Sequence, residues 1–209
     1  MIRVNVLAVQ YIPNATESLC AGFKIPKNHH SLALLTTDSD DATFIALDEA
    51  TKASEVEVCY ARSFYAGAPN ASTPYAGEVI GVLSAATPGA ARSGMEAALS
   101  AFDHVGFEES NGVPYLAHTV SSCGTFLAKE AGVKVGSALA YLIAPPLESV
   151  VGLDAALKAS DVRLCKLYAP PSETNFGGGL LTGTQSACAA ACAAFAEAVA
   201  QVTRSPKKE

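Results

Sequence analysis

Asp38, Asp40 and Asp41 form the densest carboxylate cluster in this chain of 209 residues. Carboxylates so close together offer acceptor oxygens and a concentrated negative potential, the chemistry that holds a hard cation or an ammonium group. The same residues suit the start of a helix, where Asp40 or Asp41 meets free N–H groups. The cluster by itself leaves both readings open. The other reactive side chains point away from catalysis. A cysteine nucleophile needs a histidine beside it, and nothing around His29, His30, His104 or His118 resembles such a context. No G-x-S-x-G elbow occurs, and Gly177 to Gly183 lacks the lysine of a phosphate loop. His29 and His30 form a polar turn of the solvent-facing kind, so neither a metal site nor a catalytic residue is assigned. The six cysteines include no C-x-x-C; Cys188 and Cys192 lie four apart on an alanine-rich helix face, as buried apolar thiols do.

The elements that must position these residues are organised by a repeat. Leu47 to Cys59 returns as Leu153 to Cys165, with eight of thirteen positions identical. A period of roughly 100 residues is a whole small domain rather than a solenoid unit, so the chain reads as a tandem duplication. We expect two domains, 1–108 and 109–209. Each motif opens with helical spacing (Leu47, Ala50, Thr51; Leu153, Ala156, Leu157) and passes at Ser54 or Ser160 into a strand. In that strand Val56, Val58 and Tyr60 are expected on one face and Glu55, Glu57 and Cys59 on the other.

Upstream, Arg3 to Tyr11 reads as a strand and Ala15 to Phe23 as a helix, an order repeated by Leu116 to Val120 and Ser122 to Ala131. Ser31 to Thr37 and Ala138 to Ala144 are apolar runs suited to buried strands, each leading into a loop, D-S-D-D or P-P-L-E. Two longer loops follow the motifs, Arg62 to Gly77 and Ala169 to Gly179; both carry aromatics, and Gly177 to Gly179 suits a hinge. Each loop returns to a strand, Glu78 to Leu83 or Leu180 to Thr182. Helices follow, started by Pro88 and capped by Thr184.

The helix string D-x-A-x-K-A-S, with an acidic residue and an alternating strand behind it, resembles the signature of bacterial microcompartment shell domains and occurs twice. D-S-D-D-A-T-F-I-A, R-S-F-Y-A-G-A, A-Y-L-I-A-P-P-L-E and P-P-S-E-T-N-F extend the likeness over nearly the whole chain. They are similar to the tandem-domain shell proteins of ethanolamine-utilising microcompartments. The resemblance implies an α+β fold of two circularly permuted shell domains, each a ferredoxin-like sheet with helices. Three chains would form a trimeric pseudohexamer that imitates a hexagonal tile and joins other shell proteins in a layer. It implies tile-edge lysines at Lys52 and Lys158, and an ethanolamine site in a small pore from Asp40, Asp41, Glu78, Glu148 and, by a looser alignment, Phe107. It also implies a gate around a central pore, made by Phe64, Tyr65, Ala66 and Gly67 in one loop and Asn175, Phe176 and Gly177 in the other. Such an opening would suit bulky cofactors, cobalamin or nicotinamide nucleotides among them, as passing solutes or bound ligands; no resident cofactor is implied.

Composition narrows the alternatives. A net charge of −6 with only 14 Lys and Arg argues against a nucleic-acid surface. With 50% hydrophobic and 16% charged residues, the chain has more apolar surface than two small cores hide, which calls for contact with other subunits. No 18-residue apolar span and no signal-peptide pattern stand out, so a cytosolic location is expected, which the resemblance narrows to the shell of a bacterial microcompartment. The competing reading is a small-amine or cofactor sensory module that builds no shell.

Overall fold

The computed structural model describes residues 1–63, 79–170 and 175–207. The chain separates into two compact units: an N-terminal unit of Arg3–Val105 with Gly124–Leu127, and a C-terminal unit of Met1–Ile2, Gly106–Cys123 and Ala128–Glu209. The first half contributes β1 (Val6–Ile12), α1 (Glu17–Gly22), β2 (Ser31–Thr37), α2 (Asp40–Ala53), β3 (Val56–Ser63), β4 (Val79–Ala85) and α3 (Pro88–Ala101). The second contributes β5 (Glu108–Ser110), β6 (Val113–Val120), α4 (Thr125–Ala131), β7 (Ala138–Ala144), α5 (Pro146–Ala159), β8 (Val162–Tyr168), β9 (Gly177–Gly183) and α6 (Gln185–Arg204). The sheets are antiparallel, ordered β1-β2-β4-β3 and β5-β6-β7-β9-β8. This is an α+β fold built twice.

In the N-terminal unit, Leu32 of β2 and Val82 of β4 pack with Ala15 and Ile25. Leu47 of α2 lies over β4, where only Gly81 leaves room: a Cβ there would fall 2.6 Å from its Cδ1. Thr87 caps α3 by accepting the Ala90 N–H at 3.1 Å, ahead of Pro88 in the first turn. In the C-terminal unit, Ala138, Ala140, Leu142 and Ala144 of β7 face Leu153 and Ala156 of α5 and Cys188, Cys192, Phe195 and Val199 of α6. Small residues on β7 let the helices approach. Full burial of a side chain such as Phe195 contributes about 1.5–3 kcal/mol.

The duplication reaches the first strand and helix. Ala15 donates to His30 O and Cys123 to Ser137 O; Ile25 donates to Cys20 O and Val133 to Ala128 O. Lys24 and Gly132 share a left-handed backbone, φ 56° and 64°. Residues 16–19 therefore correspond to 124–127.

Several expectations change. The D-S-D-D and P-P-L-E stretches are not separate loops, because α2 begins at Asp40 and α5 at Pro146. Strand alternation breaks at a bulge between Val58 and Tyr60, repeated between Leu164 and Lys166. Past it Tyr60 is exposed, and Cys59 packs against the N-terminal core. Gly177–Gly179 is not hinge-like loop but the buried start of β9, where a Cβ on Gly178 would come 1.9 Å from Leu142 O. The glycines are there because backbones approach closely. By length and composition α6 does qualify as a membrane-crossing helix, contrary to the expectation of no such span. Its alanines raise the hydropathy, and its apolar face builds the C-terminal core.

Candidate functional site

The acidic cluster divides by role. Asp38 accepts from the Asn5 backbone N–H at 2.8 Å and from its Nδ2 at 2.6 Å, tying the chain ahead of β1 to the end of β2. Asp40 and Asp41 occupy the first turn of α2, where unpaired N–H groups and the helix dipole favour negative charge. Both are buried, Asp40 to 3% exposure. Asp40 accepts the Asp41 N–H at 2.8 Å. Burial pushes its carboxyl above the usual range, opposed by bonds from the Ser63 hydroxyl and backbone N–H groups. Beside them the Ser39 hydroxyl is buried with no hydrogen-bond partner among the described residues. A carboxylate pair next to an unsatisfied hydroxyl can receive a small cation that carries its own hydroxyl.

The other expected ligand residues are placed separately. Glu148 lies in the first turn of α5, half-buried. Phe107 is buried, and its ring packs edge-on against Phe176 with centroids 5.9 Å apart. The structure thus brings an expected pore residue against an expected gate residue. Asn175 is exposed with φ 65°, a left-handed conformation that asparagine tolerates well. Gly177 is buried at the start of β9, where a Cβ would meet Ser149 Oγ at 2.7 Å. Glu78, Phe64, Tyr65, Ala66 and Gly67 lie outside the described residues. Lys52 pairs with Glu49, and Lys158 with Asp154 at 2.6 Å; both lysines are exposed near the ends of their helices.

Asp48 is the residue that sequence reasoning missed. It is fully buried on α2, and its carboxylate accepts the Gly124 N–H at 2.6 Å and the Leu127 N–H at 2.8 Å. Thr51 Oγ1 accepts the Thr125 N–H at 3.0 Å, and Phe44 packs on Phe126. The outer face of α2 thereby caps the start of α4. Burial pushes the Asp48 carboxyl up, and the two N–H bonds pull it down. Its identity in both copies of the repeat was the available signal.

All six cysteines are free thiols. Burial holds Cys59 and Cys192 up at about 11, so they are protonated and unreactive at neutral pH.

Residues 31–114 match the BMC domain family. That stretch begins after β1 and α1 and ends at the start of β6, the order a circular permutation produces. The microcompartment shell protein EutL of Clostridium perfringens is 55% identical over 99% of this chain and 97% of its own length. EutL of Salmonella typhimurium is 44% identical over 99% and 96%. The crystal structure of EutL from Leptotrichia buccalis superposes with a TM-score of 0.94 at 52% identity, covering 100% of this chain and 98% of that one. These matches place the chain in the EutL family of bacterial microcompartment shell proteins, structural and non-enzymatic, with two α+β shell domains in tandem.

Proposed function

We propose that three copies close into a pseudohexameric tile, with shell domains 1–108 and 109–209 alternating round the ring, and that the tile joins other shell proteins in a hexagonal layer within the bacterial cytoplasm. Lys52 and Lys158 lie at the tile edge, and residues 64–67 together with Asn175, Phe176 and the start of β9 at Gly177 gate a central pore for bulky solutes such as cobalamin or nicotinamide nucleotides. Ethanolamine, the substrate class of the compartments that relatives are named for, binds at the start of α2. Glu78, Phe107 and Glu148 are the remaining small-pore residues of this reading.

The observation that carries the ligand reading is the trio at the start of α2: Asp40 and Asp41 buried, and the buried Ser39 hydroxyl without a partner among the described residues. An ammonium group offsets the cost of ionising a buried carboxylate, and the ligand hydroxyl satisfies Ser39. Ethanolamine titrated calorimetrically against wild type and Asp40→Asn protein should bind the wild type at least tenfold more tightly. Equal affinities overturn the site.

For the tile, the wild-type protein should sediment at three times 21.4 kDa and form sheets at high concentration. Lys52→Ala and Lys158→Ala should leave the trimer intact and thin the sheets. A sensory module would stay discrete at any concentration, and unchanged sheets from both variants would remove the edge assignment.

A further inference from the structure

The serine at the start of α2 stands in the cap position and does not cap. Ser39 has extended backbone angles, φ −147° and ψ 108°, from which a serine hydroxyl ordinarily accepts an N–H of the first turn. It accepts none. The Asp41 N–H goes instead to Asp40 Oδ1 at 2.8 Å, and the Ser39 hydroxyl, on a residue only 7% exposed, has no partner among the described residues. A buried hydroxyl left unpaired costs free energy, so other bonds must hold it there.

Two fully buried threonines supply those bonds. The Ser39 N–H donates to Thr37 Oγ1 at 3.1 Å, while Thr43 Oγ1 donates to the Ser39 carbonyl at 2.7 Å and lies 2.7 Å from Thr37 Oγ1. Both backbone groups of Ser39 are thereby engaged, from the end of β2 and from one turn along α2, and the residue cannot turn to cap the helix without breaking them. The other repeat helix is built differently. Pro145 stands in the cap position, Ala144 ends β7 where Thr37 ends β2, and Ser149, in the place of Thr43, donates to Pro146 O at 2.9 Å. The hydroxyl network accompanies the buried carboxylates and is missing where Pro146 replaces Asp40.

Resting on the ethanolamine reading above, we propose that Thr37 and Thr43 are positioning residues of that site: by holding the Ser39 backbone they keep its hydroxyl for the ligand, and the site thereby selects a 2-hydroxyamine over the plain amine of the same length. The carboxylates of Asp40 and Asp41 attract any ammonium group and do not tell the two apart. Discrimination falls to Ser39. A ligand that brings a hydroxyl pairs the buried group, whereas the analogue lacking it leaves that group unpaired.

Ethanolamine and ethylamine, which differ by that hydroxyl alone, are the two probes, titrated calorimetrically against the full chain. The wild type should bind ethanolamine about tenfold more tightly than ethylamine, the worth of one hydrogen bond. Ser39→Ala removes a hydroxyl that bonds nothing in the chain, and Thr43→Val keeps the side-chain shape without its hydroxyl. Both should bring the two affinities to near equality, chiefly by weakening ethanolamine. Thr43→Ser, which restores the hydroxyl, should keep the preference. A purely structural role for Thr43 would move both amines together and leave their ratio intact. Equal affinities of the wild type for the two amines overturn the selectivity and leave the site standing. A preference that survives Thr43→Val overturns the positioning role, and so does failure of both Thr43→Val and Thr37→Val to fold. A wild type that binds neither amine overturns the site itself and this inference with it.

Discussion

Asp48 and Asp154 stand at the same place in the two copies of the repeat, four residues before Lys52 and Lys158, and only Asp48 is buried. The first caps a helix start through two N–H groups; the second makes an exposed ion pair with the lysine one turn away. Identical residues on equivalent helices therefore have different energetic weights, set by what lies across from them. Duplication copies the scaffold, and the cover over each copy decides what its residues do.

The comparison breaks most sharply under alanine substitution. Asp48→Ala removes a cap and strands the buried Gly124 and Leu127 N–H groups, which should cost about 2–3 kcal/mol. Asp154→Ala removes an exposed ion pair and should cost at most about 0.5 kcal/mol in the isolated chain. Urea unfolding of both variants, at concentrations where the chain is not associated, measures the difference. Equal losses would show that the burial of Asp48 carries no weight.

A second contrast lies where the repeat helices cross their neighbours. In the C-terminal unit Gly152 admits the Phe195 ring, since a Cβ there would fall 2.6 Å from its Cδ2. The counterpart of Gly152 on α2 is Ala46, fully buried without such a clash. One half joins a glycine to a large ring where the other uses an alanine. Gly152→Ala should cost about 1–3 kcal/mol by overpacking. Adding Phe195→Leu should return part of that loss, and a double variant no better than the single would place the strain elsewhere.

How far this was legible follows from the range of each signal. Buried central strands are short, apolar and bounded by turn residues, so Ser31–Thr37 and Ala138–Ala144 are legible to the residue. The caps Thr87 and Thr184 act within three residues and suit Pro88 and the alanine-rich helices behind them. The acidic first turn of α2 serves two signals at once: Asp40 and Asp41 suit a helix start, which the structure shows, and the same carboxylates suit ligand chemistry, while Ala42, Ile45 and Ala46 continue the helical period. Asn111-Gly112, both left-handed at φ 49° and 80°, close the β5–β6 hairpin, a local signal that the sequence carries in full. The contacts of Asp48 join residues 76 and 79 positions apart. No local pattern encodes a cap supplied from so far along the chain. The glycines of β9 misled for a related reason: mobility and close backbone approach select the same residue, and only the packing separates them.

The smallest expected effect separates the starts of the two repeat helices by pH. Asp40 on α2 corresponds to Pro146 on α5, so only the N-terminal unit carries a titratable group at that position. Burial raises the folded-state Asp40 pKa above its ordinary value of 3.8. The folded chain therefore holds this proton to higher pH than the unfolded chain does. Below 3.8 the group is protonated in both states and costs nothing; as pH rises from there through the folded pKa its contribution turns against folding, and the penalty is complete once the folded carboxyl ionises. Asp40→Asn removes this dependence, so the variant should gain stability over the wild type as pH rises from about 4 toward neutrality and should match it in acid. Saturating ethanolamine should narrow the gap by favouring the ionised carboxylate of the wild type. Thermal unfolding of both proteins across that pH range, with and without ethanolamine, reads the two effects separately. A stability difference that does not change with pH would mean that Asp40 acts through its hydrogen bonds and not through its charge.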